Sequence, residues 1–426
     1  MKKIFLLMMS LLLISVNSAN SVNAQNYIFG TFFTSNEDTY VQCYLSNDGV
    51  NFTHWKQLAD LKGRDPSCRI YNGNLYICLV EPKESDQTFY ITKFNLNDLN
   101  DTISSEQTSY GVIKRGNARN IWAPDLFIDD NGAGYVYFAK EKEGNKKSKR
   151  EFDIYVSKCG NIESGIFEPA QKINLPATSK SYIDAHVLKV NGKYYMIVKN
   201  EEEITNNENK SPLMLKSNSP TFETYEEIKD WPLKNIRGYE GFSMLERDGK
   251  IFIYADNFTH KYDNISTSNY TVWVADKQNI ETGPYKATYV ETDDRTLRHG
   301  SLILIDDRYI EDKPQFKKFN SVHESKIIKL NKEDFSDGSG KDKNFAINYL
   351  APAPNVLYVV PNKTFVEIKN ISNPYGLTNF KISLTDGAKL KIFNQVLEKN
   401  STGDDPIYNI AIDPSGRIKN IESVRN

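Results

Sequence analysis

Tyr182-Ile183-Asp184-Ala185-His186-Val187-Leu188-Lys189-Val190 runs into Asn191-Gly192 and leaves through Lys193-Tyr194-Tyr195-Met196-Ile197-Val198. Two apolar runs thus flank an Asn-Gly pair. That is a strong hairpin signal, because a type I′ turn needs positive φ at both central residues. The pattern recurs on both sides of this stretch. Asn72-Gly73, Asn131-Gly132 and Asp248-Gly249 fill the same turn slot, and Asp306-Asp307 holds it after the run LILI. The second runs of the first four repeats are LYICLV, YVYFA, YYMIV and IFIYAD. A marked polar residue precedes each turn: Asp65, Asp125, Asp184, Glu240 and His299, at steps of 60, 59, 56 and 59 residues. A period of this length with strands inside it indicates a repeat architecture built of sheets. An all-β, five-bladed β-propeller is the natural solution, since it leaves only short strand edges exposed. If each marked residue opens the innermost strand of its blade, all five point toward one end of one channel.

The two ends of this array complement each other. Residues 27–59 read as three strands, YIFGTFF, TYVQCYL and HWKQL, with no marked residue before them. The repeat at Arg298-His299-Gly300-Ser301 has LILI and then loses its continuation. The N-terminal strands are therefore expected to complete the fifth blade beside the strand that starts at His299, which removes an open edge. The expected organisation is a propeller over 25–312, a linker over 313–345 rich in Lys, Asp, Gly and Ser, and a small β-rich module over 346–426.

Lys2 and Lys3 precede the apolar run Ile4 to Val16, and Val22-Asn23-Ala24 offers small residues for cleavage. Residues 1–24 read as a secretory signal peptide, because the apolar core is too short to span a bilayer as a helix. A secreted or periplasmic protein is expected, with no membrane attachment after cleavage. A hydrophobic content of 39% suits a folded, strand-rich chain, and a formal charge of −2 gives no support for nucleic acid as a partner. The basic stretch Lys140 to Arg150 reads as a solvated loop. Export would permit disulfides among Cys43, Cys68, Cys78 and Cys159. Cys68 and Cys78 lie on opposite arms of one hairpin, but buried free thiols are the favoured reading. Asn257, Asn264 and Asn269 stand in glycosylation sequons. Oligomeric state is not legible.

Three of the marked residues are carboxylates in distinct settings: Gly-Arg-Asp65-Pro-Ser, Tyr-Ile-Asp184-Ala-His and Tyr-Glu240-Gly-Phe. Glycosidic hydrolysis needs one carboxylic acid to protonate the leaving oxygen and a second carboxylate on the other face of the sugar. A third nearby carboxylate can keep the acid protonated by like-charge repulsion.

The ordered set RDPS, NIWAPDL, YIDAHVLKVNGKYYM, YEGFSMLERDGKIFIY and RHGSLILI resembles glycoside hydrolase family 43, over about residues 27–312. The resemblance implies a five-bladed propeller that hydrolyses plant-type glycans with inversion, α-L-arabinofuranosides or β-D-xylosides being the commonest substrates. It implies that Asp65 is the general base, Glu240 the general acid and Asp184 the carboxylate that tunes the acid. It implies that Arg64, Trp122, Asp125 and Arg298 contact substrate. It also implies that His299 lies near a structural calcium ion or a water cluster, with no cofactor needed for the chemistry. An oligo- or polysaccharide is the implied partner. Ala185 and Phe242 stand where the family often has Pro, and Cys68 replaces an aliphatic residue. Inversion implies Asp65 and Glu240 carboxyl groups about 6.5–9.5 Å apart. Two other readings remain open. A retaining, fructoside-cleaving relative would need an N-terminal Asn-Asp-Pro-Asn type motif, where this chain has only the turn Ser46-Asn47-Asp48-Gly49. A non-catalytic sugar-binding propeller would be expected to lack one of the carboxylates.

Overall fold

A computed structural model describes residues 26–424 apart from 35–38, 81–87, 100–108, 115–119, 144–150, 203–210, 222–223, 258–269, 293–296, 317–325, 331–338, 342, 351, 353–355, 372–376, 378, 400–404 and 414–415. The signal-peptide segment, most of the basic stretch ending at Arg150, and the sequons at Asn264 and Asn269 lie outside the described residues. Asn257 is described and is buried.

Strands β1 (Asn26–Phe33), β2 (Tyr40–Ser46) and β3 (Asn51–Lys62) open the described chain. The first blade follows with β4 (Arg64–Tyr71), β5 (Asn74–Val80), β6 (Thr88–Asn95) and β7 (Ser109–Lys114). The second holds β8 (Ile121–Ile128), β9 (Gly134–Glu141), β10 (Phe152–Cys159) and β11 (Gln171–Lys172). The third holds β12 (Tyr182–Val190), β13 (Lys193–Asn200), β14 (Pro212–Ser217) and β15 (Glu226–Glu227). The fourth holds β16 (Tyr239–Arg247), β17 (Lys250–Asn257), β18 (Tyr270–Asp276) and β19 (Lys286–Tyr289). Next come β20 (Glu291–Thr292) and β21 (Arg298–Asp306). β21 pairs antiparallel with β1, so the fifth blade runs β21-β1-β2-β3, with β20 parallel to β3 at its outer edge. The first and last strands of the blade array therefore pair with each other, as the complementary half-repeats implied.

Each blade is buried on both faces, which explains near-continuous apolar runs where strict alternation would mark a half-exposed strand. β13 shows the division. Tyr194, Met196 and Val198 pack toward the second blade, while Tyr195 and Ile197 pack toward the fourth. Five such cores join successive blades: first to second around Tyr76 and Phe138, second to third around Tyr137 and Met196, third to fourth around Trp231 and Trp273, fourth to fifth around Phe32 and Tyr254, and fifth to first around Phe29 and Ile77. The innermost strands β4, β8, β12, β16 and β21 are in contact in that cyclic order. Burying each aliphatic or aromatic side chain there contributes about 1.5–3 kcal/mol.

All four cysteines are free and buried. The strand register sets Cys68 opposite Ile77 and Cys78 opposite Ser67. Cys68 therefore faces the fifth blade and Cys78 the second.

Beyond the propeller, β22 (Lys326–Lys329), β23 (Ser339–Lys341), β24 (Asn344–Leu350), β25 (Val356–Val360), β26 (Phe365–Ile371), β27 (Asn379–Leu384), β28 (Lys389–Ile392), β29 (Gln395–Glu398), β30 (Ile407–Ile412) and β31 (Ile418–Val424) form two five-stranded sheets. From β24 to β28 successive strands alternate between the sheets, and neighbours within each sheet pair in parallel. They share one core that includes Ile347, Tyr358, Ile368, Ile382 and Leu390, and Tyr289 of β19 packs against it. The stretch 313–345, expected to be a linker, contributes β22 and β23 to these sheets.

Candidate active site

The five innermost strands share one local device. In each, two residues stand opposite one residue of the neighbouring strand: Asp65-Pro66, Ala123-Pro124, Asp184-Ala185, Gly241-Phe242 and His299-Gly300. These are β-bulges, which re-aim a side chain by kinking the strand. The first residue of every bulge has positive φ: 53° at Asp65, 48° at Ala123, 54° at Asp184, 58° at Gly241 and 34° at His299. Such backbone costs about 1–3 kcal/mol for a residue other than glycine and clusters at functional sites. At Gly241 a Cβ would also stand 2.9 Å from the His299 ring.

The bulges correct the repeat register read from the sequence. The equivalent positions are Asp65, Ala123, Asp184, Gly241 and His299. Glu240 lies one residue before its bulge, and Asp125 lies two residues deeper than its own. The residues level with Asp125 are Ser67, His186, Ser243 and Ser301.

A pocket of about 320 Å³, counting its open mouth, sits at this end of the ring, and Asp65, Asp125, Asp184, His186, Phe242 and His299 are on its wall. His299 spans two of the carboxylates. Its Nδ1 lies 3.2 Å from Asp65 Oδ1 and its Nε2 3.0 Å from Glu240 Oε1. The second approach is an ion contact rather than an aligned hydrogen bond. Asp184 Oδ2 accepts from the Gly241 N–H at 3.1 Å. Asp184, Glu240 and His299 bring potential ligand atoms within 4.8 Å of one another.

The electrostatics divide the acids. Burial alone would push the Asp65 carboxyl up, but His299 and then Arg64 hold it below the usual carboxylate range. Burial also opposes ionisation of Glu240, yet Lys199 and His299 hold it well below that range. Asp184 is the one of the three pushed up, to about 6, by burial and by the Glu240 charge, against the pull of His299 and Lys199. Burial would lower the His299 pKa, but Glu240, Asp65 and Asp184 raise it well above its ordinary value. His299 is therefore an imidazolium at neutral pH. The raised pKa expected for Glu240 from its neighbour is instead carried by Asp184.

Glu240 is gripped from two blades. Lys199 Nζ, almost fully buried, lies 2.8 Å from Oε2, and Arg298 lies 3.3 Å from Oε1. Lys199 also reaches Glu201 at 3.0 Å, and Arg298 reaches Asp256 at 3.2 Å. Burial raises Asp256 to about 6, against the pull of Arg298. The Arg298 guanidinium lies 5.6 Å above the Phe33 ring. Lys199 and Asp256 escaped the sequence reading because they stand next to last in second strands, in Val198-Lys199 and Ala255-Asp256. Their signal is a charge closing an otherwise apolar run, at the pocket end of the sheet.

The other expected contacts fall differently. Asp125 accepts from Ser67 Oγ at 2.9 Å and from the Val187 N–H at 2.9 Å, and pairs with His186 at 3.0 Å and Arg69 at 3.3 Å. With both oxygens so engaged it binds blades together, while it also stands on the pocket wall. Arg69 also donates to Ser301 Oγ and to the carbonyls of Cys68 and Val187, so four blades meet at one guanidinium. Trp122 packs on Phe152, ring centroids 4.4 Å apart, and neither it nor Arg64 is on the pocket wall.

The site suits a calcium ion poorly. Calcium takes six to eight oxygen ligands. Here a protonated imidazole has no lone pair to give, and Lys199 and Arg298 already neutralise Glu240.

Residues 102–295 match the family profile of glycosyl hydrolases family 43. That span includes Trp122, Asp125, Asp184 and Glu240, but neither Asp65 nor His299. No curated protein matches the chain. Among solved structures, a thermostable family-43 glycoside hydrolase is similar at 14% identity and TM-score 0.43, covering 56% of this chain and 81% of that one. An endo-1,4-beta-xylanase from Bacteroides thetaiotaomicron is similar at 15% identity and TM-score 0.41, covering 65% and 97%. A xylan beta-1,4-xylosidase from Bacillus halodurans is similar at 18% identity and TM-score 0.38; the match covers 53% of this chain and only 41% of that one.

Proposed function

We propose, from the premise that this chain belongs to glycosyl hydrolases family 43, a substrate class and a mechanism for it as a glycoside hydrolase. The substrate is a plant-type glycan carrying α-L-arabinofuranosyl or β-D-xylosyl groups. Asp65 is the base that activates water, Glu240 the acid that protonates the leaving oxygen, and Asp184 the group that shares proton and charge with Glu240. The observation that carries this reading is the convergence of three carboxylates from three different blades around His299, Asp65 and Asp184 on the pocket wall and Glu240 just behind it. Asp65 is held ionised, as a base must be. Arg298 is placed to contact a sugar hydroxyl once it leaves Glu240. No step runs through a metal.

Inversion follows if water attacks from the Asp65 side while Glu240 serves the opposite face. The N-terminal aspartate that a retaining, fructoside-cleaving enzyme would use as nucleophile has no counterpart at the pocket among the described residues. β21 leads away from the pocket, β1 returns to it and β2 leads away again, so Asp48 lies in a turn at the far end of the fifth blade. There its Oδ1 accepts from the N–H groups of Val50 and Asn51. A panel of aryl arabinofuranosides, xylosides and galactosides, with NMR detection of the first-formed anomer, tests the proposal. Release of an inverted pentose supports it. A retained anomer, or binding without turnover across the panel, overturns it.

The proposal includes export. Lys2-Lys3, the apolar run to Val16 and Val22-Asn23-Ala24 support cleavage before Gln25. N-terminal sequencing of protein recovered outside the cytoplasm is expected to begin near Gln25; a retained Met1 there would overturn it.

A further inference from the structure

We propose that Lys199 is a positioning residue for the acid: its ammonium clamps Glu240 in the empty enzyme and releases it by moving onto Glu201 when a saccharide enters. The inference rests on the acid role given to Glu240 above.

Lys199 is the penultimate residue of β13, opposite Ile183 and beside the Asp184 bulge. Its side chain is only 2% exposed, and its Nζ lies between Glu240 Oε2 at 2.8 Å and Glu201 Oε2 at 3.0 Å. A buried ammonium is costly unless paired, and here it has two partners on opposite sides. One is the proposed acid; the other is one residue past the end of the same strand. Glu240 is not on the pocket wall. With Lys199 on one oxygen and Arg298 and His299 on the other, it offers no proton to a leaving group. The clamp must loosen before Glu240 can take up a proton from solvent. Glu201 provides a second seat about as close as the first, so Lys199 moves without becoming an unpaired buried charge. Glu240 also faces Asp184 from β12, Asp256 from β17, and Asp65 from β4 across His299. Arg298 joins the acid to Asp256 in the same way, but Lys199 is the more deeply buried of the two cations and the closer to Glu240.

Opposite shifts test the idea. Lys199→Met removes the clamp, and the alkaline limb of the kcat/KM profile is expected to rise by about one pH unit or more, as loss of a close opposite charge does. Glu201→Gln removes the second seat, and the limb is expected to fall. Lys199→Arg keeps the charge and is expected to hold the limb near its wild-type position. An NMR titration of labelled glutamate, with Glu240 assigned by its loss in Glu240→Gln, reads the same shifts without substrate. Shifts in the titration together with an inactive substrate panel would leave the clamp standing and defeat the hydrolase reading. Activity with neither limb nor titration moved in both variants would overturn the clamp. Should Lys199→Met fail to fold, the sign of the Glu201→Gln shift decides alone.

Discussion

Two rings of side chains line the same channel, two residues apart along each inner strand, and they are built on opposite terms. The outer ring is Asp65, Ala123, Asp184, Gly241 and His299, all on left-handed backbone, with charges that crowd one another. The inner ring is Ser67, Asp125, His186, Ser243 and Ser301. There Ser67 Oγ also accepts from the Leu126 N–H, Ser243 Oγ accepts from the Leu302 N–H, and His186 Nε2 lies 3.2 Å from the Met244 carbonyl oxygen. Each of those contacts crosses from one blade to the next. One ring stores strain and unbalanced charge, while the other fastens the blades that make the strain tolerable. The contrast teaches that an acid in a propeller channel cannot be assigned a role by type. Asp65 and Asp125 are both aspartates on the wall of one pocket, and their depth and backbone separate them.

The sharpest break would come at the outer ring and at Glu240, one residue before it. Asp65→Asn and Glu240→Gln are each expected to lower kcat about 10²–10⁴-fold, with the thermal unfolding midpoint little changed. Full activity in either variant would erase the distinction between the rings. At the inner ring the order reverses. Asp125→Asn strips Arg69 of its counter-charge and is expected to cost about 3–5 kcal/mol in urea unfolding. Loss of kcat there without loss of stability would show that Asp125 belongs with the chemistry.

Asp184 sharpens the contrast further, since it combines strain with a raised pKa. Its folded carboxyl binds a proton more tightly than the unfolded one. Its ionisation therefore removes stability as pH rises from about 4, the unfolded value, to about 6, where the folded group titrates. Asp184→Asn lacks that loss. Above pH of about 6 it is expected to be more stable than the parent by about 1–3 kcal/mol, while hydrolysing more slowly. Equal stability at neutral pH would mean that the outer ring stores no charge strain at this position. The smallest effect expected is that of a chelator. Because Arg69 and the Glu240 cations already supply positive charge, EDTA is expected to leave both kcat and the melting curve unchanged.

The ring of blades was legible because hairpin turns and doubly buried strands impose local patterns. Asn191-Gly192 and the run after it are such a pattern, and the closing partnership of residues 27–59 with the repeat at His299 follows from counting strands. The register within the site was not legible. Asp125 and Glu240 recur at tempting steps, but equivalence is set by where each strand bulges, and only Pro66 and Pro124 give a local sign of it, since proline cannot donate within a ladder. Lys199 and Asp256 were hidden for a related reason: their partners lie in another blade or beyond the next hairpin, so spacing carries no trace of the contact. The strands after Asp312 were underestimated because short polar segments such as Ser339–Lys341 pair only with the help of a distant core.

The seam between β1 and β21 has a temporal consequence. The first strand of the propeller to leave the ribosome stays without its neighbour until the last one has been made. That last strand carries His299 and Arg298, so an unfinished chain, however well its early blades have formed, lacks the groups that organise the acids. On the proposed mechanism, a fragment that ends before Arg298 therefore has no hydrolytic competence.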